Sequence, residues 1–290
     1  MRASTGRIAF QGALGAYSHQ ACVEAFPFLA PLSCRTFEGA IAAVRDGEAD
    51  RAMLPIENST YGRIADIHHL LPDSGLHITG EHFVRVHANL LGVPGARIED
   101  VKRAMSQPPL LGQCRTFLRQ HGIETVAGAD TAGSAEAVAK AADPALAALA
   151  SELAAEIHGL TVLARHIEDN DTNTTRFLVM APEPERAVPG DTLTTFVFRV
   201  RNIPAALYKA MGGFATNGVN MTKLESYMLG GAFTATQFYA DIEGHPEEAP
   251  VRRALEELDY FTTHVQILGV YPRSGFRAAR AAVRLEAETA

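Results

Sequence analysis

Apolar and polar positions along this chain switch between a period of two and a period near 3.6, and each switch marks an element. Residues 7–11, "RIAFQ", make a short apolar run that fits a strand and stops at the glycine-bearing loop "GALGAY". Ser18 follows at the place expected for a helix N-cap. In "RTFEGAIAAVRDG" the apolar residues Phe37, Ile41 and Val44 recur at helical spacing, with Thr36 placed to cap the helix and Gly47 to end it. "RAMLPI" then reads as a strand that runs straight into Glu57, Asn58 and Ser59.

Residues 75–93 are strand-rich, after which helical periods return. "LLGQCRTFLRQHG" is expected to form one helix ending at Gly122, "SAEAVAKAA" a second, and "ASELAAEIHG" a third with Ser151 near its start and Gly159 after its end. Two strand-like stretches in "TVLARHIEDNDTNTTRFLVM" bracket a polar run of hydroxyls and amides. This alternation predicts an α/β fold with a second lobe. The proline-bearing "APEPERAVPG", residues 181–190, suits an interdomain linker. Beyond it the order is strand, helix, strand, strand, helix, strand, the ferredoxin-like βαββαβ arrangement. The tail from Ser274 is charged and alanine-rich and is expected to fray.

Composition narrows the function classes. A chain of 290 residues is comfortable for two domains, and a formal net charge of -7 argues against a nucleic-acid binder. No segment approaches the roughly 20 apolar residues that span a bilayer, so no membrane partner is expected. Cys22, Cys34 and Cys114 form no C-x-x-C pair and leave an odd count, and "MRASTGRIAFQG" has no apolar core of a signal peptide. Both point to the cytoplasm. His77, His82 and His87 recur every five residues, a spacing that suits one face of neither a strand nor a helix, so no metal is expected there. The spacing of Gly12 and Gly15 is not G-x-G-x-x-G, which removes the main support for a dinucleotide.

Taken together, "GALGAYSHQA", "PIENSTYG", "SQPPLLGQC" and "DNDTNTTRFLV", followed by the C-terminal βαββαβ module, resemble the bacterial prephenate dehydratases that carry an ACT regulatory domain. The resemblance runs from about residue 7 to residue 272. It implies a two-lobed α/β catalytic domain of the type II periplasmic-binding-protein kind over 7–181, with lobe 1 at about 7–80 and 167–181 and lobe 2 at about 81–166. An ACT domain over 191–272 and a tail over 273–290 complete the division. The implied reaction is the decarboxylating dehydration of prephenate to phenylpyruvate, with no metal or other cofactor. L-phenylalanine is the implied effector and a homodimer or homotetramer the implied assembly. An arogenate dehydratase is the runner-up, and a non-catalytic amino-acid sensor the more distant alternative.

The resemblance also carries residue roles. Thr175 of "TRF" is the expected donor to the departing hydroxyl, Asn173 and Arg176 hold geometry, Arg176 as a carboxylate fork, and Phe177 packs beside the substrate ring. Glu57, Asn58 and Ser59 fall on "PIENS", and Gln113 on the glutamine before cysteine of the second lobe. Ser18 and the amides around Tyr17 are expected to receive a substrate carboxylate at a helix start. There are departures: Gln107, Pro108 and Pro109 stand where many members read "HPQ", and Ala16 where threonine is frequent. The effector site falls on Ala205, Ala206, Leu207, Asn220, Leu224, Glu225 and Ser226. There Ala205 replaces glycine, and Tyr227 and Met228 replace arginine and proline. Should that glycine serve a positive φ, the added Cβ costs about 1–2 kcal/mol.

Overall fold

A computed structural model of the chain describes residues 6–185, 191–229 and 235–279, the side chains of 235 and 236 excepted. The second half of the expected linker (186–190), the start of the strand expected from 232 and the tail beyond 279 lie outside the described residues. By internal contacts the chain divides into two compact units, Met1–Ile64 with Phe83–Phe177 and Ala65–His82 with Leu178–Ala290.

In the first unit β1 (Arg7–Gln11), α1 (Tyr17–Ala25), β2 (Ala30–Cys34), α2 (Phe37–Arg45) and β3 (Arg51–Asn58) alternate as the periods predict. β1 pairs in parallel with both β2 and β3, the arrangement that helical crossovers impose. The buried apolar runs of β1 and β3 supply a shared core, with Ile8, Phe10, Met53, Leu54 and Ile56 wholly inaccessible. Thr36 caps α2 as expected, its hydroxyl accepting the Gly39 N–H at 3.0 Å, and Gly47 follows with φ 75°. The cap of α1 differs: the N-cap is Ala16, with no side-chain hydrogen bond, and Ser18 is already the second helical residue. The loop before it sets the register, because Gly15 adopts φ 92° and its N–H is taken by His19 Nδ1 at 3.0 Å. β4 (Gly62–Arg63) folds back antiparallel on the end of β3 and sets Arg63 opposite Glu57.

The chain passes through α3 (Ala65–Leu70) and the first residues of β5 (His77–Arg85) in the second unit before it returns at Phe83. It then forms β6 (Asn89–Gly92), β7 (Arg103–Ser106), α4 (Pro108–Gln113), α5 (Arg115–Gln120), β8 (Glu124–Ala127), α6 (Thr131–Ala141), β9 (Leu146–Ala150), α7 (Glu152–His158) and β10 (Thr161–Ala164). These strands make a sheet in the order β10-β6-β9-β7-β8. β7 runs parallel to β8 and β9, and β6 antiparallel to β9 and β10. Ser151 caps α7 by accepting the Ala154 N–H at 3.1 Å, and Gly159 ends it at φ 66°.

One expected helix is two. The period over residues 110–122 breaks at Cys114, between α4 and α5. The cause is distant: the Asp169 carboxylate accepts the Thr116 N–H at 3.1 Å and caps α5, while the Asp169 N–H donates to the Gln113 carbonyl at 2.6 Å.

β11 (Thr174–Ala181) begins in the first unit and carries the chain into the second at Leu178. There β12 (Thr192–Val200), α8 (Ala206–Thr216), β13 (Met221–Met228), β14 (Ala235–Glu243), α9 (Ala249–Phe261) and β15 (Thr262–Pro272) realise the expected βαββαβ order. The sheet runs β13-β14-β12-β15 and continues to β5. At that join Gly269 pairs with Ile78, and a Cβ on Gly269 would lie 2.1 Å from the Ile78 carbonyl oxygen, so only glycine permits it. Phe196, Phe198, Phe214 and Phe238 form the core beneath the helices. α3 joins this unit through aromatic edges, with the His68 ring 5.1 Å from Tyr239 and the His69 ring 5.3 Å from Tyr227.

The described start of the tail is held rather than frayed. Arg277 grips Glu81 with two hydrogen bonds, 2.8 and 2.9 Å, and the Glu81 side chain is fully buried. A buried carboxylate without this fork would be strongly penalised, which is what ties residues 274–279 down. Among the described residues no helix is long and apolar enough to cross a membrane.

Candidate active site

The end of β3 and the start of β11 are neighbours in the first unit, and the polar run "NDTNTT" is what joins them. Asn170 Oδ1 accepts both the N–H and the hydroxyl of Thr172, at 2.8 and 2.7 Å, an Asx turn that reverses the chain. Ser59 then staples the two strand ends. Its N–H donates to the Thr174 carbonyl, its hydroxyl to the Thr172 carbonyl, and its oxygen accepts the Thr174 N–H, all within 2.8–2.9 Å. Ser59 therefore staples the two strand ends, and it remains exposed at the turn.

The staple brings three amides and a hydroxyl together. Asn58 Nδ2 donates to Asn173 Oδ1 at 2.6 Å and to Thr175 Oγ1 at 3.0 Å. Asn58 Oδ1 accepts the N–H groups of Thr60 and Tyr61, at 2.9 and 3.0 Å, so the orientation of this amide is fixed by the backbone. Asn173 Nδ2 in turn donates to Gln113 Oε1 at 2.8 Å. The donors thus run in one direction, from Asn58 through Asn173 to Gln113. At the far end Gln113 Nε2 is buried with no hydrogen-bond partner among the described residues. At the near end Thr175 accepts a hydrogen bond and keeps its own proton for another acceptor.

Arg176 does not present an open carboxylate fork. Its side chain is 2% exposed, and it donates to Glu57 Oε1 at 2.9 Å, with Glu57 30% exposed. The pair braces β11 against β3, and the Glu57 carboxylate makes the burial of the guanidinium tolerable. Phe177 is a core side chain, 1% exposed, and so packs in the interior rather than against a substrate ring. Strand alternation alone does not separate it from Thr175; depth along β11 does.

The start of α1 tells a similar story. The Tyr17 hydroxyl donates to the His87 carbonyl at 2.7 Å, its ring packs on the second sheet's core, and burial pushes its pKa up. Tyr17 is a strut between the two sheets of the unit. Around it, the first turn of α1 has neither a side-chain cap nor an acidic residue, which leaves the amides near Ser18 open to an anion. Further struts were not legible in advance: the Tyr61 hydroxyl donates to the Pro109 carbonyl at 2.8 Å, and His87 Nδ1 lies 2.8 Å from Glu168 Oε1. Each joins strand ends or loops far apart in sequence, and neither belongs to a local pattern. No group of three or more histidine, cysteine, aspartate or glutamate side chains is placed to hold a metal among the described residues.

The expected effector residues fall in the second unit. Ala205 is the N-cap of α8 and adopts a left-handed conformation, φ 62° and ψ 14°, with Ala206 and Leu207 opening the helix. Leu224, Glu225 and Ser226 lie on β13, the edge strand of its sheet. Asn220 Nδ2 donates to Glu243 at 3.0 Å, and Lys223 pairs with Glu225 at 3.2 Å, so two of the polar groups expected for a ligand already have partners.

The family model described as prephenate dehydratase matches residues 8–185. A protein of Komagataeibacter europaeus named as a bifunctional N-acyl-homoserine lactone acylase/prephenate dehydratase is 52% identical, the match covering 93% of this chain and 97% of that one. Arogenate dehydratase/prephenate dehydratase 2 of Arabidopsis thaliana is 39% identical over 92% of this chain and 72% of that one. The solved prephenate dehydratase of Arthrobacter aurescens, in complex with L-Phe, is 29% identical, covers 98% of this chain and 99% of its own, and superposes with a TM-score of 0.83. With a family model over more than half the chain and relatives of this identity along nearly its full length, the chain belongs to the prephenate dehydratase family, whose members are lyases.

Proposed function

We propose that this chain converts prephenate to phenylpyruvate in L-phenylalanine biosynthesis. The ring carboxylate leaves as carbon dioxide, its bonding pair enters the ring, and the ring hydroxyl departs with its own pair and takes up a proton to become water. Aromatisation drives the change. What the protein supplies is a donor where negative charge grows on the departing oxygen, an effect of about 100- to 1000-fold for one well-placed group. The observation that carries this reading is the Asn58 to Thr175 hydrogen bond: the amide fixes the lone pair of Thr175 and turns its proton outward as that donor. Gln113 Nε2 is a second donor in want of an oxygen, and the uncapped first turn near Ser18 suits a substrate carboxylate. Asn58 and Asn173 orient; Glu57, Ser59 and Arg176 brace.

A two-lobed catalytic domain over 7–181 followed by a domain over 191–272 belongs to the same reading, as does the C-terminal module acting as an ACT domain. Its βαββαβ order and the L-Phe complex of the Arthrobacter relative support L-phenylalanine as effector, bound where two modules meet in a homodimer or homotetramer. Cysteine usage supports a cytoplasmic setting.

Purified protein given prephenate and arogenate separately tests the proposal. Phenylpyruvate formed from prephenate is the expected result; phenylalanine from arogenate with prephenate untouched would make the chain an arogenate dehydratase. A second reading comes from the Komagataeibacter relative, whose name includes an N-acyl-homoserine lactone acylase: this chain also hydrolyses the acyl amide of such lactones. Its test is release of the fatty acid from an acyl-homoserine lactone.

A further inference from the structure

A cavity of about 210 Å³ in the first unit is lined by none of the residues assigned to dehydration. Its walls include His87, His166 and Asn89 from the crossings between the two sheets, and Glu24, Glu152 and Glu156 from α1 and α7. Glu152 is paired with Arg165 at 2.5 Å and Glu24 accepts the Gln20 amide at 2.7 Å, yet three carboxylates facing that one arginine still make the wall a poor fit for prephenate, a dianion.

The histidines, however, are arranged for proton transfer. His87 Nδ1 lies 2.8 Å from Glu168 Oε1, and the second oxygen of Glu168 accepts the Ala88 N–H at 2.9 Å. Held at both oxygens and only 4% exposed, the carboxylate is placed to accept a hydrogen bond from Nδ1, which favours the tautomer that carries its proton there. The Nε2 lone pair of a ring that is 38% exposed and lines the cavity is then the free basic site. His166 stacks on this ring at 3.9 Å and an interplanar angle of 11°. Its backbone is held at φ 51°, rare for a residue with a Cβ, and its N–H donates to Asn89 Oδ1 at 3.3 Å. Strain of this kind persists where the surroundings enforce it and concentrates at functional sites.

We infer that His87, oriented by Glu168 and backed by His166, is the general base of an amide-hydrolysing site separate from Thr175, its substrates neutral N-acylated amino lactones. The inference rests on the second reading above. His87 Nε2 takes a proton from water and the resulting hydroxide adds to the acyl carbon. The carbon–nitrogen bond then breaks as the proton passes to the leaving nitrogen, giving a carboxylic acid and a free amine. The acidic wall favours the ammonium form of that amine and disfavours substrates that bear a carboxylate, including the ring-opened lactone.

The test uses the full chain, N-hexanoyl homoserine lactone and its ring-opened form, with hydrolysis expressed as the ratio of each variant's rate to the parent's at equal concentration of folded protein. General-base catalysis contributes about 100- to 10,000-fold, so His87→Gln should lower the rate by at least about 100-fold, and the isosteric Glu168→Gln by about 10-fold or more. The ring-opened form should react more slowly than the lactone. Should His87→Gln fail to fold, the Glu168→Gln variant decides alone. Hydrolysis by the parent with an undiminished rate in both variants would overturn the inference and leave the second reading standing. No hydrolysis by the parent overturns both.

Discussion

Asn58 Nδ2 stands 3.0 Å from Thr175 Oγ1, and the same amide is pinned from behind by the N–H groups of Thr60 and Tyr61. The backbone of the β3–β4 turn therefore dictates where the Thr175 proton points. Thr175→Ala should lower kcat about 100- to 1000-fold and leave KM within a few-fold, because the donor acts mainly in the transition state. Thr175→Ser should retain some of the rate. Thr172 and Thr174 do not substitute for it, since their hydroxyls donate to Asn170 and to the Thr172 carbonyl. Steady-state kinetics on prephenate decide, and a normal kcat in the alanine variant removes Thr175 from the mechanism. Asn58→Ala should mimic the loss, and the double variant should be less than additive, as expected for two residues that act as a unit.

Gly15 offers a stability test in which two effects can be separated. It adopts φ 92°, and a Cβ there would lie 2.9 Å from Ala154 Cα, so Gly15→Ala meets both strain and overlap. Gly47 has φ 75°, and a Cβ added to it would find nothing within 4 Å, so Gly47→Ala meets strain alone. The expected losses are about 2–4 kcal/mol for Gly15→Ala and about 1 kcal/mol for Gly47→Ala. Urea unfolding compares them, and equal losses would mean that the loop before α1 yields freely to α7.

His19 couples the same loop to pH. It is buried, its Nδ1 accepts the Gly15 N–H, and it stacks on Phe10 at 5.4 Å. Burial lowers its pKa below 6.5, and accepting a hydrogen bond needs the neutral ring. Below 6.5 the unfolded chain therefore binds a proton that the folded chain resists, so this contribution is complete above that value and is lost as pH falls through the folded pKa. Thermal melts between pH 7 and pH 5 should show a falling midpoint. In His19→Gln the fall over this interval should be shallower, and an identical slope would assign the acid sensitivity to other groups.

The α/β alternation, the βαββαβ order and the caps at Thr36 and Ser151 were legible because they depend on residues a few positions apart. The break at Cys114 was not, because Asp169, 53 positions beyond Thr116, makes it. Glu81 likewise holds Arg277 from 196 positions away, so composition alone made the tail look loose. In the site, resemblance supplied Thr175, Asn58, Asn173 and Gln113, and the structure brings all four together. It could not supply the direction of the amide chain or the occupation of Arg176 by Glu57. Those follow only once the ends of β3 and β11 are neighbours.

Ala205 carries a last prediction. It begins α8 at φ 62°, the left-handed conformation in which a Cβ costs about 1–2 kcal/mol. Glycine there removes the strain but gives the unfolded chain more freedom, which returns about 0.4–1 kcal/mol. Ala205→Gly should therefore stabilise the protein by about 0.5–1 kcal/mol in urea unfolding. The same change frees the loop amides at the proposed effector site, so half-inhibition by L-phenylalanine should move to lower concentration, by up to about tenfold for a gain of 1.4 kcal/mol. Calorimetry and rate measurements over a phenylalanine titration read both effects. Stabilisation without any binding or inhibition in parent or variant would leave the backbone argument intact and reduce the module to an assembly role.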